Sequence, residues 1–118
     1  MKDEAMIKWR VQQAHKSTYP NPISFSAGDK LVLGQRDDEY VGWIWTTTAD
    51  GNAGWAPDAL IKIISHSEGV ALETYTAREL DTAVGELVIV LRTLNEWVWV
   101  EDERGEQGWV PQSTLRGS

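Results

Sequence analysis

Residues 96–111 read EWVWVEDERGEQGWVP, and residues 42–57 read GWIWTTTADGNAGWAP. Trp43, Trp45, Gly54, Trp55 and Pro57 recur as Trp97, Trp99, Gly108, Trp109 and Pro111, each 54 positions further on. One offset shared by five positions marks a duplication. Upstream, Gly28-Asp29 corresponds to Gly85-Glu86 at an offset of 57, so the first repeat carries three extra residues. They fall in the polar stretch QRDDEYVG, residues 35–42.

Side-chain alternation along a strand sorts each repeat into two faces. Trp97 and Trp99 share one face, Val98 and Val100 the other; Trp43 and Trp45 likewise oppose Ile44 and Thr46. The valines and isoleucine are the simpler core, so the tryptophans are expected outside it. On this reading Leu31, Leu33, Ile44 and Ile61 fill the first core. Leu80, Val88, Val90, Val98, Val100, Val110 and Leu115 fill the second, with Ala71 near the axis.

Short apolar runs separated by SAGD, ADGN, TAVGE and ERGEQ, with no helical periodicity, predict about five strands per repeat. In ADGN and ERGE a tight hairpin needs positive φ, which glycine supplies. The expected fold class is all-β, two small five-stranded barrels in tandem packed against each other. The polar stretch SHSEG, residues 65–69, reads as the linker, giving domains 1–64 and 65–118.

A chain of 118 residues divided in this way gives barrels near the lower limit for independent folding. No cysteine is present, so packing alone stabilises them, and the separated His15 and His66 make no metal-ligand pattern. No cofactor is expected. The charged N-terminal MKDEAMIKWRV has no signal-like apolar core, and no apolar run reaches a membrane-spanning length. A cytoplasmic location is the simplest reading. A net charge of −7 disfavours nucleic acid and anionic membranes and favours basic partners. Residues 1–64 hold seven Lys/Arg against eight Asp/Glu, and residues 65–118 hold four against ten, which places the acidity in the second repeat.

The motifs in order resemble those of SH3 (Src-homology-3) domains. In the second repeat ALETY is similar to the opening Ala-Leu-Tyr-Asp-Tyr signature. ELDTAVGE is similar to the acidic RT loop and diverging turn, NEWVWV to the acid-Trp-Trp strand, and GWVPQSTL to the ending of the domain. The first repeat matches through PISFSAGD, GWIWTT and GWAPDALI, but WRVQQAH lacks the signature, as in bacterial variants.

The resemblance implies a non-catalytic binding module that takes extended peptides on an aromatic groove. Carried onto the second repeat, the groove comprises Tyr75, Trp97, Trp109 and Pro111, with Glu79 and Glu96 pairing with a ligand Arg or Lys. The expected partner is a protein or peptide, basic or Pro-containing. The corresponding positions of the first repeat are His15, Trp43, Trp55 and Pro57, with Pro22 and Gly42 where acids would stand. That repeat is read as mainly structural. The resemblance is incomplete in the second repeat too: Glu73 and Thr114 replace two expected tyrosines.

Trp45, Trp99 and the face Leu87, Ile89 and Leu91 exceed what a groove needs. Strands apolar on both faces are generally covered on both, so these residues are expected to bury one repeat against the other or against a second chain. A glycan-targeting module and a homo-oligomerisation protein are the alternative functions. No Ser-His-Asp order or Gly-rich phosphate loop points to an enzyme.

Overall fold

The alternation in the two tryptophan stretches is realised as strands, in a computed structural model that describes residues 7–18 and 20–117. GWIWT gives β4 (Trp43–Thr47) and GWAP ends β5 (Ala53–Pro57), while EWVWV gives β10 (Trp97–Glu101) and GWVP ends β11 (Gln107–Pro111). Before them lie β1 (Ile7–Val11), β2 (Ser24–Phe25) and β3 (Lys30–Arg36). Between the pairs lie β6 (Ile61–Ser65), β7 (Glu68–Ala71), β8 (Tyr75–Thr76) and β9 (Leu87–Leu94), and β12 (Leu115–Gly117) closes the chain. Single 3-10 turns, Asp58–Leu60 and Gln112–Thr114, follow β5 and β11.

Turn chemistry follows the sequence. Gly28, Gly51, Gly85 and Gly105 all have positive φ, between 86° and 95°. Ser26–Asp29 and Ala83–Glu86 are matching turns, each closed by a backbone bond and by the acid accepting from the first residue's N–H. In the β4–β5 hairpin, the Thr48 hydroxyl and the Asn52 N–H hold the Asp50 carboxyl below the usual carboxylate range.

The strand partnerships differ from the expected division at residue 64. One five-stranded sheet runs β11-β10-β9-β1-β12 and a second β5-β4-β3-β7-β6, while β2 and β8 form a two-stranded sheet. Each barrel therefore takes its opening strand from the other repeat. The first strand, IKWRV, pairs with β9 and β12, and EGVA pairs with β3 and β6. One compact unit spans residues 1–20 and 78–118, and the other residues 21–77. Residues 65–69 form no linker: His66 and Ser67 turn β6 into β7, with Ser65 paired to Glu68.

Two features specify the exchange. The first is chain length. Only His66 and Ser67 separate β6 from β7, a connection suited to adjacent antiparallel strands. The second is volume. Trp9 pairs with Val88 and Gly117, and Gly69 holds the equivalent place between Leu31 and Ile63. A Cβ on Gly69 would lie 2.7 Å from Ile61 Cγ2 and 3.0 Å from Leu33 Cδ1. The barrel that has Gly117 opposite receives the indole, and the barrel that has Ile63 opposite receives the glycine. Uncrossed repeats would set Trp9 against Ile63 and Gly69 against Gly117, one pair overpacked and the other empty.

The cores otherwise follow the alternation. Val11, Leu80, Val88, Val98, Val100, Val110 and Leu115 form one buried cluster, with Trp9 and Val90 packed against it. Val11 is the member contributed by the exchange. In the other unit Leu31, Leu33, Ile44 and Ile61 are buried as expected, joined by Ile23, Phe25, Ala56, Leu60 and Tyr75, and by Ala71, which was expected in the second barrel and comes here with β7. Buried Thr46 donates to the Ile44 carbonyl, which satisfies its hydroxyl inside the barrel.

Expressed alone, residues 21–77 contain every strand of their barrel and are expected to fold. Residues 65–118 alone lack Val11 and Trp9 and are expected to stay unfolded. Amide dispersion in heteronuclear NMR of the two fragments checks this, and the reverse outcome would contradict the exchange.

Candidate functional site

The β10–β11 hairpin builds the outer wall of the unit formed by β1 and β9–β12. Trp97 pairs with Pro111, and Trp99 with Trp109. Paired residues share a face, so all four lie opposite the fully buried Val98 and Val110. Trp97 and Pro111 are half-buried. Trp109 is only 7% exposed; Trp99 meets it at 5.2 Å and 66°, and its backbone is bridged to Glu79. Trp109 is thus a floor for the site rather than an open groove surface. The Trp99 indole donates to Gln107 Oε1 at 3.1 Å.

The covering strip is held by backbone bonds. Trp109 N–H donates to Arg78 O, and Leu80 N–H donates to Trp109 O, both at 3.0 Å. Gly108 permits this approach: a Cβ there would fall 2.8 Å from Leu80 N. Glu79 is fixed beside Trp109 in consequence.

His15 stands on this strip's partner arm, bridged to Thr82. Its imidazole meets Trp97 edge-on at 5.8 Å and 81°. His15 Nε2 lies 2.7 Å from Glu79 Oε1, with the side chains 17% and 11% exposed. The exchange therefore reverses two expected placements. Tyr75, expected beside Trp97, lies in the other unit, buried against Phe25 at 5.4 Å. His15, expected beside Trp43, takes the tyrosine's place instead. Residues His15, Glu79, Trp97, Trp109 and Pro111 come together, with Glu96 exposed on the β9–β10 turn.

That turn carries a feature without a glycine signal in the sequence. Leu94 pairs with Trp97, leaving Asn95 and Glu96 as a two-residue loop at φ 49° and 70°. Asparagine adopts this region readily, glutamate at a cost of order 1 kcal/mol. Thr114, at an expected tyrosine position, is buried and donates to Pro111 O at 2.7 Å.

In the other unit Trp43 pairs with Pro57, and Trp45 with Trp55 at 5.2 Å and 77°. Pro57 is fully buried and Trp55 half-buried, so less of this face is open than expected. Of the proposed apolar surface, Trp45 is 38% and Leu91 49% exposed, while Leu87, Ile89 and Trp99 are half-buried. Leu87 and Ile89 pair with Arg10 and Lys8 of β1.

The acidity also redistributes when charges are summed over compact units. Residues 1–20 with 78–118 hold eight Lys/Arg against ten Asp/Glu, net −2. Residues 21–77 hold three against eight, net −5. Eight of the ten acids of residues 65–118 stay in the unit that holds Trp97, Glu79 and Glu96 among them, and its smaller net charge comes from residues 1–20, which add four Lys/Arg against two Asp/Glu. Among the described residues, no group of three His, Cys, Asp or Glu could hold a metal ion, and no helix is long and apolar enough to cross a membrane.

Residues 8–64 match the family model described as Variant SH3 domain, and residues 73–117 match the one described as Bacterial SH3 domain. The chain is a tandem SH3-like protein. A search of curated proteins finds no match. The family segments follow the chain, whereas the SH3-like barrels cross it: each match spans strands that lie in both compact units. SH3 domains are generally protein-interaction modules and typically non-catalytic.

Gly108→Ala is expected to push Leu80 and Glu79 off β11 and cost about 1–3 kcal/mol. Denaturant unfolding would show the loss, and wild-type stability in this variant would contradict the close approach at Gly108.

Proposed function

We propose that the SH3-like barrel of β1 and β9–β12 is a non-catalytic module for a short extended peptide, basic or Pro-containing. What carries this reading is the juxtaposition of half-buried Trp97 with His15, Pro111 and exposed Glu96. The indole offers a flat apolar surface, and a polyproline helix reaches it already extended, so docking costs little chain entropy. Glu96 supplies a carboxylate for an arginine or lysine at the rim. The other SH3-like barrel, with Tyr75 and Pro57 buried, is read as mainly structural.

NMR titration with Arg-containing PxxP peptides tests this. Resonances of Trp97, His15 and Glu96 are expected to shift, and those of Trp55 to stay. Trp97→Ala is expected to weaken binding by about thirtyfold, the loss of one aromatic anchor worth about 2 kcal/mol. Peptides that leave Trp97, His15 and Glu96 unmoved would sink the reading.

A further inference from the structure

Among the groove residues, Glu79 is bridged to Trp109 in the strand register, and it already has a partner. His15 Nε2 stands 2.7 Å from it, although the two residues are 64 positions apart in the chain. Both side chains are largely shielded from water. The residue is anchored at two further points. Its backbone N–H donates to Thr82 O at 3.2 Å, and its ring edge meets Trp97.

We infer that His15 sets the charge selectivity of this groove, masking Glu79 when protonated and exposing its charge to a basic ligand when neutral. The inference rests on the peptide-binding reading above and adds to it which residue regulates the site. An imidazole gains its charge within the physiological pH range. With His15 protonated, the pair carries no net charge, and the imidazolium repels an incoming guanidinium. With His15 neutral, the pair carries −1, and its hydrogen bond leaves Glu79 lone pairs free to accept from a ligand donor. Binding of a basic side chain therefore drives a proton off His15, and by linkage protonation drives the ligand off.

The other charged groups on the segments meeting at His15 are Lys16 beside it, Arg78 and Asp81 flanking Glu79, and Glu96 next to Trp97. Asp81 accepts from Ser17 N–H at 2.8 Å, and Arg78 lies 3.9 Å from Glu106. Carboxylates are ionised throughout the range in which an imidazole titrates, as are Lys and Arg.

The test follows peptide affinity and the ring protons of both histidines from pH 5 to pH 8 in the full chain. His66, exposed on the β6–β7 turn, is the internal control. For an Arg-containing Pro-rich peptide, affinity is expected to fall on the order of tenfold from pH 8 to pH 5, a coupling of ordinary size. The same peptide with Arg replaced by Gln should lose this dependence. His15→Gln, which keeps a donor for Glu79 but cannot titrate, should bind with a flat profile. Saturating Arg peptide should lower the titration midpoint of His15 and leave that of His66. Without peptide, Glu79→Gln should also lower the His15 midpoint, since the stabilising anion is gone.

Binding that is flat in the wild type, or pH dependence that persists in His15→Gln, overturns the inference while leaving the groove intact. An unchanged His15 midpoint in Glu79→Gln overturns it as well, since the pair is then not formed in solution. If no peptide shifts Trp97 at any pH, the groove reading fails first and the inference falls with it.

Discussion

Two residues, His66 and Ser67, join β6 to β7. Three peptide units reach roughly 10 Å when extended, enough to cross to an adjacent strand and little more. The strand after the turn is therefore held in the barrel it has just left, and Ser65 pairs with Glu68. The second repeat then lacks its own opening strand, and β1 fills the vacancy. Exchange of an identical element is a low-cost rearrangement because the contacts made resemble those given up. Here they are not identical, and the difference reinforces the exchange. The indole of Trp9 lies opposite Gly117, and Gly69 lies where Ile61 and Leu33 leave no room for a Cβ.

The groove inherits this arrangement. His15 and Glu79 belong to different repeats, yet the crossing places them 2.7 Å apart against Trp97. A tyrosine that the chain order would have put there is instead a core residue of the other barrel, packed on Phe25. The chemistry of the site changes with it, from a phenol to a titratable imidazole hydrogen-bonded to a carboxylate. Gly108 contributes from beneath, since the strip that bears Glu79 can lie on β11 only where that residue has no side chain.

Much of the fold was legible in the sequence because alternation and glycine report local geometry. The inward valines of WVWVE, the outward tryptophans and the positive-φ turns at Gly51 and Gly105 all follow from such rules. Strand partnership was not legible in the same way. Alternation states which face a side chain occupies, not which neighbour it meets, and IKWRV and EGVA fit the same slot by pattern. The sizes of Trp9 and Gly69 carried that information, but only once their cross-strand partners were known. The turn at Asn95-Glu96 escaped because its second positive φ falls on glutamate, for which no propensity speaks. Among the candidate site residues, Tyr75 and His15 were placed in the wrong units, trading places for one and the same reason.

The crossing of the two repeats is the claim on which the groove depends, and cross-strand NOEs in a chain shown to be monomeric by sedimentation test it most directly. The account predicts contacts between Lys8 and Ile89, between Trp9 and Val88, and between Lys30 and Val70. Contacts from Trp9 to Leu31 and Ile63 in their place would show uncrossed repeats and contradict it.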